Sequence, residues 1–234
     1  MFLRIGILLA ATAAACELSL EDKEIFLRNA KMIDSRELSM GITNSRRAVL
    51  DDGKLRHDAH IQTVNLAKAE FEGNRGKEIN FRDTYKFNIA GYELAKLLGL
   101  ECMVPPSIER RVAGNSAAVT WWVDNTMMTE LDRNKKKLEA PDPVDWNRQM
   151  HIVRVFDQLI FNTDRNLGNM VITKDWKIWM IDHTRAFRML HTLQTPKNLV
   201  QIDRKLLARL RDLNKADAQV KLKGWLNNME IDGL

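Results

Sequence analysis

The chain is poor in cysteine: Cys16 and Cys102 are the only two in 234 residues. Cys16 closes an N-terminal apolar run, so Cys102 alone remains inside the chain and no internal disulfide framework can form. Its neighbours, LGLECMVPP, predict a buried structural thiol. There is no internal repeat, heptad run or low-complexity arm, which excludes solenoids and coiled coils. Zinc-finger spacing, arginine-rich repeats and stacking-aromatic motifs are also missing, so the formal charge of +5 favours anionic partners without selecting nucleic acid. Neither G-x-G-x-x-G nor G-x-x-x-x-G-K-[ST] occurs, which excludes a standard glycine-rich loop and a P-loop. What remains, 45% hydrophobic and 29% charged residues, is an ordinary globular composition, long enough for one domain or two small lobes.

The N-terminus has Arg4, an apolar run from Ile5 to Ala15 and small residues before Cys16. Residues 1–15 are therefore expected to be a signal peptide, too short to span a membrane. Ala14-Ala15-Cys16 resembles the end of a bacterial lipoprotein signal, with Ala13 where leucine is usual. That resemblance implies a periplasmic or membrane-anchored protein lipidated at Cys16. Plain secretion is the alternative, and a cytoplasmic location follows if the segment is not a signal.

The most informative stretch is residues 145–187. Met150, Val153, Phe156, Leu159 and Ile160 recur at helical steps and predict an amphipathic helix. Asn162, Asp164, Arg165, Asn166, Gly168 and Asn169 then crowd into eight positions, a turn composition. Met170–Thr173 and Trp176–Ile181 are β-prone runs around Lys174 and Asp175, a hairpin whose second strand runs into Asp182. Phosphoryl transfer needs a carboxylate to accept the proton of a hydroxyl and oxygen ligands to hold magnesium against phosphates. Asp164 is the candidate base, and Asn169 and Asp182 the candidate metal ligands. The structural alternative is that Asp164 and Asn169 cap turns and Asp182 ends a strand.

FNTDRNLGN followed by MIDH resembles the catalytic loop and metal-binding acid of the protein-kinase-like superfamily, in the style of the phosphatidylinositol kinases and bacterial toxin–antitoxin kinases. Those carry D-R-H-x-x-N or D-x-H-x-x-N; here Asn166 stands in place of the histidine. Asp182-His183 stands where many relatives have D-F-G. The resemblance implies an α+β, two-lobed fold with a β-rich N-lobe and a short helical C-lobe, using ATP and Mg2+. It covers roughly residues 41–225 and is strong over residues 157–187.

On that template, residues 21–124 are the N-lobe including an N-terminal helix from Glu21 to Asp34. Residues 125–144 are a solvated interlobe connection, and residues 145–234 the C-lobe. Residues 41–47 are placed as a phosphate-facing loop, with Ser45 as a contact. Gln62 takes the position where relatives have the phosphate-binding lysine, a neutral amide in place of a cation; Lys68 or Lys86 are the substitutes at hand. A helix from Asp83 to Leu98, capped by Asp83 and ended by Gly99, offers Glu93 as the charge partner. Trp122 and Val123 fall at the hinge expected to grip a purine. Residues 70–80 read as a loop or insertion, and two amphipathic segments, 198–213 and 219–228, as C-lobe helices.

Two functions stand ahead of a third, a metal-dependent hydrolase at Asp182-His183. One is ATP- and magnesium-dependent phosphotransfer to an unidentified hydroxyl-bearing substrate. The other is an exported pseudokinase or ligand-binding domain, which the neutral Gln62 favours.

Overall fold

The computed structural model describes residues 18–38, 45–73 and 76–234. The expected signal peptide, Cys16 and residues 41–44 of the expected phosphate loop lie outside the described residues.

The first helix, α1 (Leu20–Asn29), opens with a capping box in which Ser19 Oγ accepts from the Asp22 amide at 3.1 Å. It stops short of the expected Asp34. Arg110 donates to the Leu27 and Ala30 carbonyls at 3.1 and 2.7 Å, satisfying the helix end from outside and freeing the next residues for a strand. Strands β1 (Lys31–Glu37), β2 (Arg46–Asp51) and β3 (Arg56–Gln62) follow, then a separate two-stranded ribbon, β4 (Asn65–Gly73) and β5 (Gly76–Thr84). The ribbon covers the span expected to be a loop; most of its residues are exposed, so no buried face marks it in the sequence.

Next comes α2 (Lys86–Leu98). Asp83 stays in β5 and does not cap it, whereas Gly99, at φ 69°, ends it as expected. Strands β6 (Ser107–Val112) and β7 (Asn115–Trp121) form a hairpin, and the sheet order is β1-β2-β3-β7-β6, with every pair antiparallel. Alternation along the strands divides the sheet. Leu50, Ala59, Ile61, Val119 and Trp121 pack with Phe26 and Leu27 of α1, while His60, Gln62 and Thr120 turn to the opposite face.

After four residues, the chain enters β8 (Thr126–Thr129) and α3 (Glu130–Lys136), so the expected solvated connection is partly regular structure. Buried Met128 anchors β8, and a Thr129–Asp132 capping box starts α3. Then come α4 (Pro143–Leu159), β9 (Met170–Thr173) and β10 (Ile178–Met180), the last two forming the expected hairpin and joining β8 in a three-stranded sheet. The chain ends in α5 (Arg204–Asp212), inside the first amphipathic segment expected, and in α6 (Lys215–Leu222) and α7 (Asn228–Asp232), which overlap only the ends of the second.

The larger core joins α2 to α4, the β9–β10 hairpin and the C-terminal helices through Phe87, Tyr92, Phe156, Ile160, Met180 and Leu222. Nine of the thirteen residues of α2 are buried, because one side meets the sheet and another this core. Cys102 is exposed, against expectation; the buried neighbours at that corner are Met103 and Val104. Among the described residues, no helix is long and apolar enough to cross a membrane.

Candidate active site

A cavity of about 360 Å³ opens between the five-stranded sheet and the β8–β10 sheet. Ser45, Trp122, Val123, Asn169 and Asp182 all line it. Its sheet side is formed by His60, Thr120 and Ser107, and its opposite side by Val171, Met180 and Ile181.

Local geometry brings the polar loop and the hairpin exit together. Arg165 turns its guanidinium inward, with Nε on Asp157 at 3.0 Å and Nη1 on the Asn169 and Ile181 carbonyls at 2.9 and 2.7 Å. A planar fork with fixed donor directions suits that task, since it reaches a carboxylate and two carbonyls at once. The Ile181 amide also donates to the Asn169 carbonyl at 3.1 Å. Asn169 and Asp182 therefore emerge side by side. The Asn169 amide nitrogen leans on the Asp164 carbonyl at 3.4 Å, leaving its oxygen for the cavity.

Asp182 has φ 55°, a left-handed conformation that a non-glycine residue adopts at a cost and that clusters at functional sites. Thr184 Oγ1 donates to its carboxylate at 3.1 Å. A carboxylate oxygen and an amide oxygen are the hard donors magnesium takes, and phosphate oxygens commonly complete such a shell. Among the described residues no group of three or more His, Cys, Asp or Glu side chains is placed to hold a metal, so Asn169 and Asp182 would hold the ion together with a ligand.

Asp164, expected in the cleft, is not among the residues that line the cavity. Its side chain is 43% exposed, its amide donates to Asn162 Oδ1 at 3.0 Å, and Arg185 Nη1 lies 3.9 Å from its carboxylate. Burial raises the Asp83 carboxyl above its ordinary range; Thr184 and the Arg185 charge oppose that shift, and the charges of Asp182 and Asp164 add to it.

On the sheet side, Gln62 is buried behind Asn88 and, against expectation, does not line the cavity; its Oε1 accepts from Asn88 Nδ2 at 2.6 Å. Asn88 Oδ1 in turn accepts from the His183 amide at 2.7 Å, linking β3 through α2 to the residue after Asp182. The expected partner, Glu93, points elsewhere: it pairs with Lys96 at 2.9 Å, and Lys96 also holds Glu24 of α1 at 2.9 Å. Five residues along a helix turn about 140° around its axis, so a helix that directs Asn88 at the cleft must direct Glu93 away from it.

Among the described residues, no lysine or arginine lines the cavity. Lys68 lies over the Phe71 ring of the ribbon, and Lys86 is not in the lining either. His60, two residues before Gln62 on the same face, is the base that strand offers. Burial lowers its affinity for a proton while the Asp182 charge opposes that shift. The period-2 alternation of β3 was the signal that could have found His60; an Asn on an otherwise apolar helix face was the signal for Asn88.

No protein-family model matches the chain, and no curated protein matches it. Solved structures do. A hydra Fam20 protein determined with a sugar superposes with a TM-score of 0.65 at 12% identity, covering 92% of this chain and 84% of that one. The Golgi casein kinase gives 0.60 at 10% identity, over 92% of this chain and 71% of that one. The Helicobacter pylori proinflammatory kinase CtkA gives 0.57 at 10% identity, over 88% and 90%. At these identities the likeness is one of architecture: the chain has a protein-kinase-like fold.

Proposed function

We propose that the cleft binds ATP with magnesium and transfers the terminal phosphoryl group to a hydroxyl acceptor presented at Asp164. The observation that carries this reading is the Arg165 junction, which sets Asn169 and Asp182 side by side in the wall of a cavity that Trp122 and Val123 also line. The similar solved structures include two named as kinases, which supports the same reading.

Asn169 and Asp182 would hold magnesium, which neutralises phosphate charge when bound. Val123 and Trp122 would wall the base, and Ser45, just before β2, would contact the phosphates. Asp164, half exposed and not forked by a cation, accepts the proton of the acceptor hydroxyl. Alignment and charge compensation carry the catalysis, with no covalent enzyme intermediate.

A second reading, nucleotide binding without transfer, is favoured by the Gln62–Asn88 pair, which brings no positive charge to the phosphates. Purified wild type and Asp164→Ala decide between the two. Magnesium-dependent ATP turnover lost by about 10²-fold or more in the variant, with nucleotide binding retained, supports transfer. Tight binding with equal background turnover in both supports the binding domain. Export with lipidation at Cys16 belongs to the same proposal and is tested by labelled-lipid incorporation into wild type and Cys16→Ala.

A further inference from the structure

The segment after Asp182 carries two arginines, Arg185 and Arg188, in a stretch without regular secondary structure. Burial lowers the Arg188 guanidinium below its ordinary value; Glu78 opposes that shift and the neighbouring Arg185 charge adds to it. Two half-buried cations so close need an anion, and it comes from the β4–β5 ribbon. Glu78 Oε1 accepts from Arg185 Nη2 at 2.9 Å, and Glu78 Oε2 from Arg188 Nη2 at 2.8 Å. Behind the carboxylate, Phe71 and Phe81 stack at 4.1 Å, and both guanidiniums lie over Phe81, at 5.0 and 5.2 Å.

Arg185 thus has two carboxylates within reach, Glu78 at 2.9 Å and Asp164 at 3.9 Å. A guanidinium forked onto Asp164 would occupy the oxygens that must receive the acceptor's proton. We propose that Glu78 is a positioning residue of the acceptor side: it holds Arg185 off Asp164 and orders the segment from His183 to Arg188 against the catalytic loop. The ordering is mutual, because an isolated two-stranded ribbon is only marginally stable. The Thr84 amide also donates to the Thr184 carbonyl at 3.0 Å, and Thr163 Oγ1 to the Arg185 carbonyl at 2.9 Å. Where kinases order this segment by adding a phosphate that arginines grip, here a carboxylate built into a neighbouring strand takes that place.

The effect on turnover rests on the phosphotransfer reading; the ordering does not. Magnesium-ATP turnover and nucleotide affinity are measured for wild type, Glu78→Gln and the double variant Glu78→Gln/Arg185→Gln. Glu78→Gln is expected to lower turnover roughly tenfold to a hundredfold, with nucleotide affinity unchanged. The double variant recovers most of that loss, which a purely structural defect would not allow. Wild-type turnover in Glu78→Gln, or a double variant no better than the single, overturns the proposal. If wild type shows no turnover, the phosphotransfer reading fails, and limited trypsin digestion tests the ordering. Cleavage after Arg185 and Arg188 in Glu78→Gln, at protease levels that leave wild type intact, supports it; equal protection overturns it.

Discussion

On the polar-loop side of the cleft, Arg165 joins Asp157 to the carbonyls of Asn169 and Ile181; on the sheet side, Gln62 and Asn88 meet as neutral amides. Both junctions fix a cleft residue, and both are largely buried. They differ in what they lend a ligand. The Arg165 charge is consumed by Asp157, whereas the amide pair has no net charge, so neither brings a cation to the cavity. On the proposed reading, a metal held at Asn169 and Asp182 would balance the phosphate charge, since among the described residues no lysine or arginine lines the cavity.

The largest test of this contrast is Arg165→Ala. Removing one member of a largely buried pair leaves Asp157 unpaired, and the expected loss is about 3–5 kcal/mol of stability, read from denaturant unfolding. A loss comparable to that of an exposed ion pair would mean the junction is not what holds the loop.

Gly91→Ala probes the seam where the two sides meet. A Cβ there would sit 3.3 Å from His183 Cγ, and that ring is buried edge-on against Phe156 at a 5.8 Å centroid distance. The expected cost is about 1–3 kcal/mol, with weakened nucleotide binding because His183 adjoins Asp182.

Gln62→Lys puts an uncompensated positive charge at the neutral junction. A charge-assisted contact to phosphate would then be available, so magnesium nucleotide should bind about tenfold tighter, measured by calorimetry with a non-hydrolysable ATP analogue. Unchanged affinity would show that the amide pair does not face the phosphates.

The smallest effect is a pH dependence. Burial holds the His183 imidazole well below its ordinary value, and the Arg165 charge adds to that shift. The unfolded chain takes up this proton near pH 6.5 and the folded chain does not. His183 therefore contributes its full stability above about pH 6.5 and loses it as pH falls toward the depressed folded value. Thermal melts between about pH 7.5 and about pH 5 should fall less steeply for His183→Phe than for wild type. Parallel curves would place the acid sensitivity elsewhere.

The loop and hairpin were legible because their logic is local. Turn-forming residues between an amphipathic helix and two β-prone runs can pack in few ways, so Asp164, Asn169 and Asp182 could be singled out from spacing. Glu93 was misplaced because a helix buried on most sides has no strong apolar stripe, and its sequence leaves open which face meets the cleft. The ribbon was missed for a related reason: its strands are exposed enough to be mostly polar, and Glu78 acquires a role only through arginines more than a hundred residues away. Cys102 sits among apolar neighbours, but in a corner where those neighbours turn inward and it does not.

The α4 helix, the turn chemistry of residues 162–169, and the hairpin with the acid after it were determined by residue type at short range, where backbone preference and periodicity act. Helix phase, the choice of Asn88 over Glu93, the pairing of Arg185 and Arg188 with Glu78, and the tying of the polar loop to the hairpin exit by Arg165 were decided only in three dimensions. Those depend on which surfaces exclude water from one another, and no pattern along the chain encodes that directly.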